Sequence, residues 1–249
     1  MLSILFFLLS IIPSVLIILW LMKRRKEDPA YQACCKNAVK RGLFSVLPIL
    51  GVSAILWILN GILRLTLLKD ANILIYRALY TFIVLAFAEE LVKFLAFRGL
   101  LNKRMCTASW ADVTAFMVII GNAFGLIEDI PYAIGASPMI MLVRGLTMGH
   151  VGYGFVMGWF YGKKLYTGKK NYGVIAFVLP FLLHGLYDFS LSEELLEVNE
   201  DLAIIGVSLA LLDLILIFLM IRFFKRASRK DRYNVPLLPA LPEGSAPQP

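Results

Sequence analysis

The chain holds two histidines, and both lie in long apolar stretches: His150 in MGHVGYG and His184 in LLHGLYDF. Carboxylates sit in neighbouring apolar stretches, with Glu89 and Glu90 in AEELVKF, Glu128 and Asp129 in FGLIEDIP, and Asp188 one helical turn after His184. A charged side chain at mid-membrane costs roughly 2.5–3.5 kcal/mol on insertion scales. A chain that keeps several there has a use for them. Their spacing is helical. Lys93 follows Glu89 by four residues and Glu90 by three, so it can neutralise one carboxylate. Asp188 follows His184 by four and can orient or charge the imidazole. Carboxylates and imidazoles gathered in a membrane cavity can activate water for hydrolysis, hold a metal that activates water, or relay protons or ions. No glycine-rich phosphate loop, GxSxG or HExxH is present.

The elements that must position these groups are read from composition and charge. Hydrophobic residues make up 59% of the 249 and charged residues 17%, below the roughly 25% charged of soluble domains. A disordered chain, a coiled coil and an ordinary soluble domain are excluded. A bilayer core about 30 Å thick needs about 20 apolar residues per helix. Seven stretches satisfy this: Leu2–Met22, Leu43–Leu67, Ile73–Phe97, Asp112–Ile134, Met139–Gly162, Tyr172–Leu191 and Leu202–Phe224. The expected fold is therefore all-α, a polytopic integral membrane bundle of about seven transmembrane helices. The net charge of +8 suggests nucleic acid at first sight, but 20 of the 25 basic residues fall in alternate connections and in the C-terminal segment. By the positive-inside rule these face the cytoplasm, placing the N-terminus outside and the C-terminus inside. The surplus charge is then a topology signal that needs no nucleic-acid partner, and the lipid bilayer is the expected surrounding.

The organisation expected is an anchor helix over 1–23, a basic cytoplasmic loop over 24–42, a membrane core over 43–224 and a disordered, Pro-rich tail over 225–249. Asp28-Pro29 is a helix-entry signal in the basic loop, Ser137-Pro138 precedes the fifth span and Asp201 precedes the seventh. Gly121 with Gly125, Gly145 with Gly149, and Gly154, Gly158 and Gly162 repeat at the four-residue spacing that lets helix backbones approach. Asp213 reads as isolated, a structural or helix-contact residue. The three cysteines have no framework spacing and read as reduced thiols.

Four motifs in order carry a family resemblance: Glu89-Glu90-x-x-Lys93, Phe124-x-x-x-Glu128, a glycine-flanked His150, and His184-x-x-x-Asp188. They resemble those of the PrsW intramembrane proteases, within the wider group of CAAX-prenyl-protease-like membrane proteins that also includes the APH-1 subunit of gamma-secretase. The prenyl-protease branch shows EExxxR, FxxxH and HxxxN. Here Lys93 stands at a shorter spacing, Glu128 replaces His and Asp188 replaces Asn, which points to the PrsW branch. The resemblance implies a multi-pass protein of the bacterial plasma membrane that cleaves a peptide bond of a single-span membrane substrate, such as an anti-sigma factor. It implies a catalytic set of Glu89, Glu90, Glu128, His150, His184 and Asp188, supported by Lys93, Phe124 and Asp129. Glu89 is expected as general base on a water held by Glu128 and His184. Asp188 would orient His184, Lys93 would set the charge of Glu90, and His150 would complete the cluster. The cofactor is left open between none and a zinc-like divalent metal held by Glu89, Glu128, His150 and His184. The alternatives are a proton- or ion-coupled transporter and a non-catalytic scaffold.

Overall fold

The computed structural model describes residues 2–69, 71–135 and 138–240. Its helices follow in the order α1 (Leu2–Met22), α2 (Pro29–Phe44), α3 (Val46–Thr66), α4 (Ile73–Leu79), a π-helical segment (Tyr80–Phe87), α5 (Ala88–Asn102), α6 (Trp110–Gly135), α7 (Pro138–Thr147), α8 (Gly149–Thr167), α9 (Asn171–Ser190), α10 (Glu193–Leu196) and α11 (Leu202–Ala227). The fold is all-α, apart from one short strand pair. Among the described residues four helical stretches are long and apolar enough to cross a membrane: Pro29–Thr66, Trp110–Pro131, Asn171–Ser190 and Leu202–Ala227.

Two of the seven expected spans are broken rather than continuous. In the third, α4 passes through the π-helical segment into α5. Such wider turns frequently mark functional sites, because they rotate the following side chains relative to the preceding ones. Here the wide turns end directly before Glu89 and Glu90. The fifth is split into α7 and α8 at Met148, whose φ of 43° is left-handed. Irregular backbone at membrane depth is tolerated where it is buried in protein or lines a cavity, and Met148, Gly149 and His150 do line one.

The bundle is built around α6. Of its apolar window 72% is buried, against 17–28% in the other three stretches, which face outwards. α6 lies along α8, with glycines letting the backbones meet. A Cβ on Gly154 would lie 3.0 Å from the Met117 carbonyl, and one on Gly158 would lie 2.8 Å from Thr114 Cα. Gly162 faces Trp110. Gly121 and Gly125 meet the backbone and ring of His150. The Gly145–Gly149 pair does not continue this seam, because the chain breaks between them. Gly145 packs on Ser10 of α1 and Gly149 faces Asp213 of α11. Gly158→Val is expected to destabilise the protein by about 1–3 kcal/mol through overpacking. Gly61→Ala, where nothing lies within 4 Å, should not lower the melting temperature in detergent. Equal melting of the two variants would refute the packing argument.

The basic loop is partly helical, as Asp28-Pro29 predicts. Asp28 Oδ1 accepts from the Tyr31 N–H at 3.0 Å, Pro29 opens α2, and Asp28 Oδ2 pairs closely with Arg25. The Tyr31 N–H, and after it the Arg25 guanidinium, hold the Asp28 carboxyl below its ordinary value. A depressed carboxyl stabilises the fold above its unfolded value near 4 and loses that contribution as pH falls through the folded value. Asp28→Ala should therefore cost about 1 kcal/mol at neutral pH. The difference in melting from wild type should shrink as the pH drops below about 4, and a gap that stays constant with pH would disprove the cap. At α11, Asp201 occupies the N-cap position but makes no side-chain cap bond. Ser137 lies outside the described residues. Cys34, Cys35 and Cys106 are free and buried.

The C-terminal segment departs from the disordered tail expected over 225–249. α11 runs to Ala227, and Pro236–Leu238 (β2) pairs antiparallel with Ala108–Ser109 (β1). Its anchor is Tyr233, 7% exposed, packed between Trp110 and Phe223 at ring separations of 5.2 and 5.1 Å. Asn234 Nδ2 donates to the Ala227 carbonyl at 2.6 Å. One large aromatic supplies the burial that the Pro-rich composition lacks. The remainder of the expected tail, 241–249, lies outside the described residues.

Candidate active site

Five elements converge on one cluster. α5 brings Glu89, Glu90 and Lys93, α6 brings Phe124 and Glu128, α8 brings His150, and α9 brings His184 and Asp188. Arg144 of α7 closes its outer edge. Lys93 is at the centre, 1% exposed. An ammonium has three donors and no acceptor, and Lys93 Nζ has three partners. They are Glu90 Oε1 at 2.6 Å, His150 Nδ1 at 3.1 Å and Glu89 Oε2 at 3.5 Å. It also sits 4.6 Å from the centre of the Phe124 ring, so the aromatic of the second motif is a cation-binding face.

Because an ammonium can only donate, His150 Nδ1 is the accepting nitrogen and His150 Nε2–H donates to Glu128 in a close contact. The other oxygen of Glu128 pairs with Arg144 Nη2 at 3.2 Å. His184 is 4% exposed and faces carboxylates with both nitrogens. Nδ1 is 3.0 Å from Glu90 Oε1, and Nε2 is 3.3 Å from Asp188 Oδ2 and 3.8 Å from Glu89 Oε2. The two imidazoles meet edge to face at 5.2 Å. Glu89 Oε2 is buried and accepts no hydrogen bond, its contacts with Lys93 and His184 being the long ones at 3.5 and 3.8 Å. Leaving a buried carboxylate oxygen unpaired costs free energy, so such an oxygen marks a place where a water or a substrate group completes the site.

A cavity of about 50 Å³ adjoins the cluster, with Glu128, His150, His184, Asp188 and Arg144 on its wall. This is room for about three waters. Glu89 is not on that wall. It stands beside His184, which is, and its own side chain keeps 13% of its surface open.

The structure thus brings Glu89, Glu90, Lys93, Phe124, Glu128, His150, His184 and Asp188 together. Asp129 lines the same cavity and holds Arg144 Nε at 2.9 Å. Three residues outside the expected catalytic and supporting set belong here. Arg144 bridges Glu128 and Asp129. Its signal was available, since an arginine inside a span needs a carboxylate partner. Tyr153 stacks on His184 at 5.3 Å, and nothing in the sequence distinguishes this tyrosine from the other nine. Asp213 is not isolated. It is 2% exposed, and it sits against Gly149 and Gly152 with its hydroxyl neighbour Tyr153 between it and His184.

The cluster lies within a stretch that matches a known family. Residues 41–221 match the family described as PrsW family intramembrane metalloprotease. The stretch contains every residue of the cluster. Among curated proteins, the chain is 28% identical over 198 residues to Protease PrsW of Clostridioides difficile, covering 76% of this chain and 79% of that one. It is 29% identical over 157 residues to Protease PrsW of Shouchella clausii, covering 61% and 73%. It is 32% identical over 114 residues to that of Oceanobacillus iheyensis, covering 44% and 53%. No solved structure matches it significantly. With the family match covering well over half of the chain, the chain belongs to the PrsW family and is a peptidase, an intramembrane protease.

Proposed function

We propose that the cluster hydrolyses a peptide bond of a single-span membrane protein in or near the bilayer of a bacterial plasma membrane, an anti-sigma factor being the expected kind of substrate. Glu89 acts as general base. The observation that carries this is the buried Glu89 Oε2, which accepts no hydrogen bond and has only long contacts, 3.5 Å to Lys93 Nζ and 3.8 Å to His184 Nε2. Glu90 and Glu128, by contrast, are each held by a cation and an imidazole at 3.2 Å or less. In this reading Glu89 takes a proton from water as the water oxygen attacks the substrate carbonyl carbon. His184 donates to the developing oxyanion, and the proton taken up by Glu89 passes to the leaving amine as the C–N bond breaks. Asp188 and Glu90 hold the His184 ring, with Tyr153 stacked on its face. Glu128 and His150 shape the water cavity.

The family description implies a metal, and the donor types agree. Glu89, His150 and His184 place one ligand atom each within 4.8 Å of one another, and two histidines with one glutamate suit a hydrolytic zinc. Glu128 falls outside that group, being bound to His150 and Arg144. The available lone pairs do not agree. His150 Nδ1 is taken by Lys93, His150 Nε2 faces Glu128, and both nitrogens of His184 face carboxylates. The cation among these donors is the Lys93 ammonium. A divalent ion would have to displace a buried lysine that has three partners, so the arrangement does not fit a metal and the reaction is written without one.

Topologically, the reading places seven crossings with the N-terminus outside. The broken third and fifth spans count as crossings whose irregular turns line the site, as discontinuous helices do elsewhere in membranes.

Reconstitution of the purified chain with a labelled single-span substrate tests the proposal. Cleavage is expected to persist in the presence of a strong chelator, and elemental analysis to find much less than one transition-metal ion per chain. Stoichiometric zinc with chelator-sensitive cleavage would overturn the metal-free scheme. Absence of any cleavage across several single-span substrates, with flux of protons instead, would overturn the substrate assignment.

A further inference from the structure

A second cavity, about 400 Å³, lies away from the catalytic cluster between α8, α9 and α11. Phe155, Trp159, Leu179, Leu216 and Leu219 give it apolar walls, and Arg222 and Arg226 stand at one end. From Leu216 to Arg226 is ten residues of α11, about 15 Å at 1.5 Å per residue. That is half of a hydrocarbon core about 30 Å thick, the depth of a single leaflet. The two arginines are one turn apart and so share a face. Both are exposed, and among the described residues neither has a carboxylate partner. Arg222 reaches only the Phe218 ring, at 5.5 Å. Trp159 and Tyr233 beside them are the aromatic types favoured at the level of lipid headgroups.

We infer that this groove is a binding site for an anionic phospholipid, with one acyl chain along the apolar wall and the phosphate on Arg222 and Arg226. Charge complementarity selects this occupant over a substrate helix. A single-span substrate carries its own Lys and Arg on the cytoplasmic side, which would meet the two guanidiniums with like charge. A zwitterionic lipid would leave the guanidiniums with a headgroup whose net charge is zero. An anionic one adds roughly 1 kcal/mol of attraction per arginine near the surface.

The test is native mass spectrometry of the full chain, released from detergent after exposure to phosphatidylglycerol or phosphatidylcholine. Wild type is expected to retain phosphatidylglycerol about thirtyfold more than phosphatidylcholine. R222Q/R226Q is expected to lose that preference. L219W, which fills the groove and leaves both arginines in place, is expected to lose retention itself. Leu219, Arg222 and Arg226 are all on the exposed surface, and melting curves verify that the variants stay folded. Equal retention of the two lipids by wild type, or a preference that survives both folded variants, overturns the proposal. So does a photo-crosslinker at Val156 that captures substrate helix in place of lipid.

Discussion

Glu89→Gln is expected to reduce cleavage of a reconstituted single-span substrate by about 10²–10⁴-fold, the usual contribution of a general base, while the protein keeps its fold. The substitution is nearly isosteric. The only charged contacts it weakens are the Lys93 pair at 3.5 Å and the His184 contact at 3.8 Å, both long. The amide cannot take a proton from water, so the loss should appear in kcat rather than in KM. His184→Gln should lose activity to a similar degree, because it removes the imidazole assigned to stabilise the oxyanion. Asp129→Asn should lose far less, since Asp129 lines the cavity as the partner of Arg144 and is assigned no proton transfer. A Glu89→Gln protein that cleaves at the wild-type rate would eliminate Glu89 as the base, and the same result for both variants would eliminate the site.

The largest effect on stability is expected from Lys93→Met. Lys93 and Glu90 are each 1% exposed and pair at 2.6 Å. Removing one member of a buried pair strands the other, at a cost of about 3–5 kcal/mol. Lys93 also faces Glu89 and His150, so three groups lose a partner at once. Glu90→Gln/Lys93→Met should recover much of the loss, because it removes the stranded charge together with its counter-ion. Thermal melting in detergent measures both proteins. A single variant that melts like wild type, or a double variant that melts below the single one, would show that the pair does not act as a buried ion pair. The single variant also probes the site. Without the ammonium, His150 Nδ1 is free, and transition-metal content after purification should rise above that of wild type if Lys93 is the resident cation.

Much of this was present in local order along the chain. The long apolar runs require membrane helices, because a bilayer satisfies no backbone polar group. The i,i+3 and i,i+4 spacings of Glu90–Lys93 and His184–Asp188 require those pairs to meet, because a helix places such residues on one face. Both contacts are present, at 2.6 and 3.3 Å. The glycine series of α8 required a close neighbour, and α6 is that neighbour. The ordered motifs were also enough to indicate the family.

What the sequence left open lies between elements. Lys93 could have served either glutamate. Packing of α8 against α5 gives it His150 as a third partner, and this is what withholds the histidine from a metal. The break at Met148 ends α7 so that Arg144 meets Glu128 and Asp129. Apolar periodicity carries no signal for such a break, nor for the π-helical turns before Glu89, because both segments are apolar throughout. Tyr153 meets His184 through the packing of α8 on α9, and Asp213 joins them through the approach of α11 to the small residues Gly149 and Gly152. Local sequence determined which groups this protein carries into the membrane and which of them pair along a helix. Tertiary packing decided that Glu89 Oε2 is buried with only long contacts, while Glu90 and Glu128 are held closely. That choice depends on distances between helices that share no sequence neighbourhood.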